Sequence, residues 1–167
     1  MRYNTLNDII RRALGRAEVP STLEPVGLTR TDGKRPDGLT LVPWKGGKSA
    51  VWDVTVTDTL ASSYVQATSV TAGAAAETAS DRKLAKYEAL SSSYVVVPVA
   101  FETFGPVNDL GVSFVSEIGS RSSKLSGDHR ESSFLWQRLS VAIQRFNAIC
   151  FKQTFLGQDP ESLNLDT

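Results

Sequence analysis

Ser49-Ala50-Val51-Trp52-Asp53-Val54-Thr55-Val56-Thr57 is the stretch on which the fold turns. Its β-branched residues predict a strand over Ser49 to Thr57. An aspartate stands in the middle of it, among apolar neighbours, where an acid is costly to bury unless a partner or a metal ion holds it. Just before it, Lys45-Gly46-Gly47-Lys48 has the glycines of a two-residue hairpin turn. Before that, Leu39 to Trp44 predicts the partner strand. A second acid, Asp37, precedes this strand in Arg35-Pro36-Asp37-Gly38. Two acids brought together by a hairpin suggest a divalent-metal site, and from there phosphodiester hydrolysis.

The turn sets a condition on this reading. With a strict two-residue turn, Lys45 pairs with Lys48 and Thr40 with Asp53, which puts Asp37 on the wrong face for Asp53. The acids meet only if the loop has odd length, a bulge intervenes, or Asp37 precedes the regular strand. Pro36 and Gly38 both disturb regular pairing and favour the last option.

Outward from the hairpin, Thr5 to Arg16 predicts a helix with Ile9, Ile10, Ala13 and Leu14 on its apolar face and Asn4 or Thr5 as cap. Pro20 and Pro25 bound a connector. Val26 to Arg30 predicts a short first strand, followed by a turn at Thr31-Asp32-Gly33-Lys34. Ala61 to Val70 is ambiguous. Thr71 to Leu90 predicts a long alanine-rich helix, and Tyr94 to Phe101 a strand buried on both faces. Val112 to Ile118 fits a short helix or a strand, and Gly119 to Asp128 reads as a serine-rich loop. Glu131 to Phe151 predicts a long amphipathic helix with Leu135, Leu139, Ala142, Phe146 and Ile149 on one side. Strand, crossover helix and buried strand make a βαβ unit whose crossover should be right-handed. The class expected is α/β (α+β), a mixed sheet flanked by helices in the order helix, strand, hairpin, helix, strand, helix. One domain is expected over 1–156, with a frayed tail at 157–167.

The site lacks a cation where one is usual. In a metal-dependent nuclease a lysine commonly stands two residues after the second acid, on the same strand face. That position is Thr55. The long helix offers a replacement. At about 100° per residue, Ala72, Ala76, Ala79, Lys83, Lys86 and Leu90 fall in one narrow stripe. The alanines let the helix lie close to the sheet, and either lysine can then reach the aspartates. The alternative is that both lysines snorkel from the rim of the packed face.

Composition limits the alternatives. The 167 residues carry 18 Lys/Arg and 18 Asp/Glu, which argues against a strongly basic nucleic-acid coat. The charge is unevenly spread, with nine Lys/Arg and five Asp/Glu in residues 1–52. Arg35, Lys45 and Lys48 flank the acids and are the candidate nucleic-acid contacts. No stretch reaches the roughly 18 apolar residues of a membrane-spanning helix. The N-terminus lacks a signal core, and one cysteine, Cys150, excludes an internal disulfide. An intracellular, nuclear protein is the expectation.

Several blocks in one order then carry a family resemblance: Glu24-Pro25, Arg35-Pro36-Asp37-Gly38, Trp52-Asp53-Val54-Thr55, Lys83 through Lys86-Tyr87, Phe101-Glu102-Thr103 and Gln137-Arg138-Leu139-Ser140-Val141-Ala142-Ile143-Gln144-Arg145. From about Glu24 to Ala148 the chain resembles the restriction-endonuclease-like domain at the C-terminus of some non-LTR retrotransposon reverse transcriptases. The resemblance implies the PD-(D/E)XK fold, with Asp37 and Asp53 as ligands of Mg²⁺ or Mn²⁺ and Lys83 or Lys86 as the displaced lysine. Glu24 is a further candidate ligand. It also implies a DNA endonuclease whose nick leaves a 3′ end that primes reverse transcription. A reverse transcriptase domain, in the same polyprotein or separate, is the implied partner. The rival expectation is a catalytically inactive module of the same fold that binds nucleic acid or such a partner.

The remaining residues carry blander expectations. Asp58 is expected to cap a strand end or turn. Glu102 is expected to pair with an arginine, and His129 to sit on the surface. Trp44 and Trp52 are expected to pack rather than stack bases. Gln137, Arg138, Gln144 and Arg145 suit a solvated helix face better than a row of phosphate contacts.

Overall fold

The structure is a computed structural model that describes residues 2–28 and 32–156. The expected tail at 157–167 lies outside the described residues. In chain order the elements are α1 (Arg2–Arg16), β1 (Ser21–Leu23), β2 (Gly38–Thr40), β3 (Ala50–Thr57), α2 (Val65–Thr68), α3 (Ala74–Lys86), β4 (Val95–Glu102), α4 (Asp109–Ser126) and α5 (Glu131–Leu156). A short 3-10 turn, Glu88–Leu90, follows α3. The strands form a mixed sheet in the order β1-β2-β3-β4. The first two junctions are antiparallel and the third is parallel, with α2 and α3 in the connection between β3 and β4.

The alternation along β3 divides the molecule. Ala50, Trp52, Val54 and Val56 enter the main core with Leu6, Ile10 and Leu14 of α1, Phe114, Val115 and Ile118 of α4, and Leu135, Leu139 and Ile143 of α5. The opposite face is covered by α3, whose Ala76 and Ala79 pack on Ala100 of β4. The β3 positions between the core residues therefore look toward α3, and Asp53 is one of them.

The hairpin meets the strict condition at its tip and breaks it below. Lys45 bridges Lys48, and Gly46 and Gly47 have φ of 58° and 74°, the left-handed values that such a turn needs. Yet Gly38 lies opposite Trp52, and Leu39 opposite Val51. Between the turn and this pairing one arm uses three more residues than the other, from Lys45 back to Leu39 against Lys48 on to Val51. The surplus leaves the ladder after Thr40. There the Thr40 hydroxyl accepts the Ala50 N–H at 2.8 Å and donates to the Val42 carbonyl at 2.9 Å. An odd offset reverses the parity that would have kept the two acids apart.

Gly38 is needed at this crossing. A Cβ there would run into the six-membered ring of Trp52, which is fully buried. Gly38→Ala is expected to cost about 1–3 kcal/mol through overpacking. Urea unfolding checks this, and a variant as stable as the parent would contradict the packing.

Several sequence expectations are corrected. The first strand is Ser21–Leu23, not Val26–Arg30; Val26 is 93% exposed, and residues 29–30 lie outside the described residues. The second strand is Gly38–Thr40, since the surplus lies within the chain from Leu41 to Trp44. α1 begins by Arg2, so Asn4 and Thr5 lie inside it and not at a cap. α3 starts after Gly73 (φ 86°) and ends at Lys86, which removes Ala72 and Leu90 from the lysine stripe. The serine-rich segment 119–126 is the second half of α4, not a loop. Packing overrides its weak helix propensity: Gly119 lies against Ser132 of α5 so closely that a Cβ would meet the Ser132 backbone. On α5 the buried stripe is Leu135, Leu139 and Ile143, while Ile149 is 53% exposed.

Candidate metal centre

Asp53 projects from the middle of β3 and is almost fully buried. Its partner comes from α3. The N-terminus of that helix is fixed by Glu102, whose Oε1 accepts the N–H groups of Ala75 and Ala76 at 3.0 and 3.2 Å. The Thr59 hydroxyl donates to Glu102 Oε2 at 3.3 Å. This carboxylate on free helix N–H groups is favourable in charge and hydrogen bonding. Glu102 therefore caps a helix rather than pairing with an arginine. Two helical turns beyond, on the stripe of Ala76 and Ala79, Lys83 Nζ lies 3.1 Å from Asp53 Oδ1.

Asp37 stands one residue before β2, where the chain leaves the ladder. Its N–H donates to the Trp52 carbonyl at 3.0 Å, and its own carbonyl accepts the Glu24 N–H at 2.8 Å. Since β2 pairs only with Val51 and Trp52, the next β3 amide lacks a strand acceptor on that side. The Asp37 carboxylate supplies one: Oδ2 accepts the Val54 N–H at 2.7 Å. The Asn7 side chain of α1 and the charges of Asp53 and Lys83 all act on the same carboxylate. The hairpin acids thus form one site, because the offset register carries Asp37 to the position opposite Asp53, one residue beyond the Gly38–Trp52 pair.

Burial, and then the Asp53 charge, push the Asp37 carboxyl above its ordinary value of 3.8; the Val54 N–H, Asn7 and Lys83 pull the other way. A carboxyl with a raised folded-state pKa holds its proton longer when folded than when unfolded. Its contribution to stability is therefore lost as pH rises from 3.8 through the raised value. Ionised Asp37 weakens the metal-free fold at neutral pH. Relative to the parent, Asp37→Asn should gain stability between about pH 4 and 7. Chemical unfolding of both proteins at the two pH values checks this, and a parallel pH dependence would reject it.

The other candidates do not converge on the acids in the same way. Lys86 Nζ lies 4.7 Å over the Tyr87 ring. Tyr87, fully buried, donates its hydroxyl to the Arg35 carbonyl at 3.1 Å and ties the end of α3 to the segment leading into Asp37. Glu24, with φ 50°, is exposed and pairs with Arg35 at 2.6 Å, pointing into solvent and not joining the acids. Lys45 and Lys48 sit at the hairpin tip, and Lys48 Nζ donates to the Ser91 carbonyl at 3.2 Å. Asp58 accepts the Leu60 N–H in a turn, and His129 is on the surface. Trp52 is core, and Trp44 packs edge-on against Phe114 with Arg121 stacked over it. Gln137, Arg138, Gln144 and Arg145 are exposed. Arg138 and Arg145 border an apolar groove of about 770 Å³ between α1 and α5, lined by Ile9 and Phe146 and by neither aspartate.

The residues present fit a hard divalent cation. Among the described residues no group of three or more His, Cys, Asp or Glu gathers, so the acids available at one point are Asp37 and Asp53. Mg²⁺ commonly takes one or two protein carboxylates, keeps several waters and shares substrate phosphate oxygens. A carboxylate whose charge is disfavoured by burial and a like charge is also one that a cation would relieve. Asn7 was missed in the sequence, although the signal was present: it is a polar residue on the stripe of Ile10 and Leu14, inside an apolar face.

Fold and site together define a mixed α/β domain, a four-stranded mixed sheet flanked by helices with a lysine-linked carboxylate pair at the β2–β3 junction. Among the described residues no helix is long and apolar enough to cross a membrane. Compared with known proteins, the chain matches no protein-family model and no curated protein sequence.

Proposed function

We propose that this chain is a Mg²⁺- or Mn²⁺-dependent DNA endonuclease with a PD-(D/E)XK restriction-endonuclease-like core, of the kind associated with non-LTR retrotransposon reverse transcriptases. The observation that carries this reading is Lys83 Nζ at 3.1 Å from Asp53. Thr55 leaves the strand without a cation, and the adjoining helix brings one to the same carboxylates. Asp37 belongs to that group through its electrostatic contact with both residues.

The chain's own groups divide the work of hydrolysis. A bound Mg²⁺ would supply charge stabilisation at the phosphate and lower the pKa of the attacking water. Asp37 and Asp53 would provide its hard oxygen donors. Lys83 is a point charge held beside the reacting group, suited to orient the water and to offset the negative charge that grows on the phosphate. The P–O bond is broken by addition of water, leaving a 3′ hydroxyl. A reverse transcriptase domain is the natural user of that end, and the nucleus the natural place. No element of the hairpin resembles a base-reading device, so cleavage by this domain alone should show little sequence preference.

The test is nicking of supercoiled plasmid in Mg²⁺ against EDTA, together with calorimetric Mn²⁺ binding. Metal-dependent nicking and measurable Mn²⁺ binding are expected. A parent protein that binds no Mn²⁺ would leave the inactive nucleic-acid-binding module as the better reading.

A further inference from the structure

We propose that the groove between α1 and α5 is the docking site of an acidic amphipathic helix belonging to a protein partner, a role separate from the metal site. The groove has a volume of about 770 Å³, and its lining includes Leu6 and Ile9 of α1 and Val141, Ile143 and Ile149 of α5. Phe134 at its border is 39% exposed and Val141 is 50% exposed, so apolar wall is left in water. A contiguous apolar hollow with a polar rim marks an interaction surface.

The shape and charge of the occupant follow from α5. One stripe of this helix, Leu135, Leu139 and Ile143, is buried in the core. A second apolar row faces outward: Phe134, Val141, Ala148 and Phe155 recur every seven residues, and all four are exposed. A seven-residue apolar repeat sustained along a helix is the pattern against which a second helix packs. Beside it runs a row of cations at the same interval, Arg138, Arg145 and Lys152. All three are exposed and have no ion-pair partner among the described residues. Seven residues of helix rise about 10.5 Å, so acids seven residues apart on a docked helix meet each cation in turn. Asp8, farther along α1, is already held by Arg11 and Arg12 at 3.4 and 2.8 Å.

Other occupants satisfy one row but not both. The α5 of a second copy brings no countercharge, since no acid follows Glu131 in that helix. A nucleic acid duplex brings anions, but phosphates give Ile9, Val141 and Ile149 no apolar partner. A helix with an apolar face and heptad-spaced acids serves burial and charge together.

A synthetic three-heptad peptide with Leu at its inward positions and Glu at the flanking ones tests this, beside a control carrying Lys for Glu. The Glu peptide is expected to bind saturably in fluorescence anisotropy and to shift the methyl resonances of Val141 and Ile149. Added salt should weaken it, since the cations are exposed. In Arg138→Glu/Arg145→Glu both changes lie on the surface, so the variant should fold. It should bind the Glu peptide about tenfold or more weakly and take up the Lys peptide instead. Equal binding of the two peptides by the parent, no saturable binding of the Glu peptide, or an affinity unmoved by the double variant overturns the proposal. So do methyls that shift on dilution, the mark of a second copy in the groove, or that shift with duplex DNA and not with the Glu peptide.

Discussion

Asp53→Ala is expected to abolish Mg²⁺-dependent nicking of supercoiled plasmid while leaving the fold intact. Charge stabilisation by a metal is worth several kcal/mol in the transition state. At about 1.4 kcal/mol per tenfold, a rate loss of about a thousandfold or more follows. The fold should survive because the residue left without a partner is Lys83, whose side chain is 24% exposed and can turn its ammonium to water. Removing Asp53 also takes away the like charge beside Asp37, which relieves the metal-free protein. Loss of activity alongside an unchanged or raised unfolding midpoint would mark a functional acid and not a structural one. Plasmid nicking at the parent rate would reject the site.

Lys83→Met is the second large effect. Methionine keeps the apolar stem along α3 and deletes only the charge. Losing one preorganised donor to a developing oxyanion costs about 10²–10³ in rate, and a loss of that order is expected in single-turnover nicking. Lys86→Met, one helical turn on and lying over Tyr87, should lose far less. Lys83→Arg should not restore full activity, since a planar fork does not reproduce a compact ammonium. The Lys83 variant also leaves Asp53, with 8% side-chain exposure, without its countercharge. It should therefore be less stable without metal and recover more than the parent when Mn²⁺ is added. Retained nicking in Lys83→Met, or an equal loss in Lys86→Met, would reject the displaced-lysine mechanism alone.

How much of this could be read in the sequence differs from residue to residue. Local signals were sufficient for the turn, because two adjacent glycines leave few alternatives, and for β4, because a continuous apolar run suits a strand covered on both faces. Lys83 was legible as one of two lysines on a stripe, but the choice between them depended on where α3 sits along the sheet. That is set by Glu102, which is far from α3 in sequence and looked like an ordinary strand-end acid. The three-residue surplus in the hairpin was invisible for a similar reason. It depends on a threonine hydroxyl replacing a ladder bond, and nothing in the composition of Leu41 to Trp44 announces this. In α4 the serines and glycines that read locally as a loop are the small residues that a close helix crossing requires.

The seat of Glu102 at the start of α3 has a consequence for how this protein can vary. A helix delivers a side chain by counting residues from its origin, at about 1.5 Å and 100° each, so a slip of one residue would carry Lys83 away from Asp53. Here the origin of the count is nailed to β4 by a carboxylate and not by the length of the incoming chain. A change of length in the incoming chain beyond Thr59, which itself holds Glu102, should then leave the lysine in place, whereas a single insertion between Ala76 and Lys83 should misdirect it.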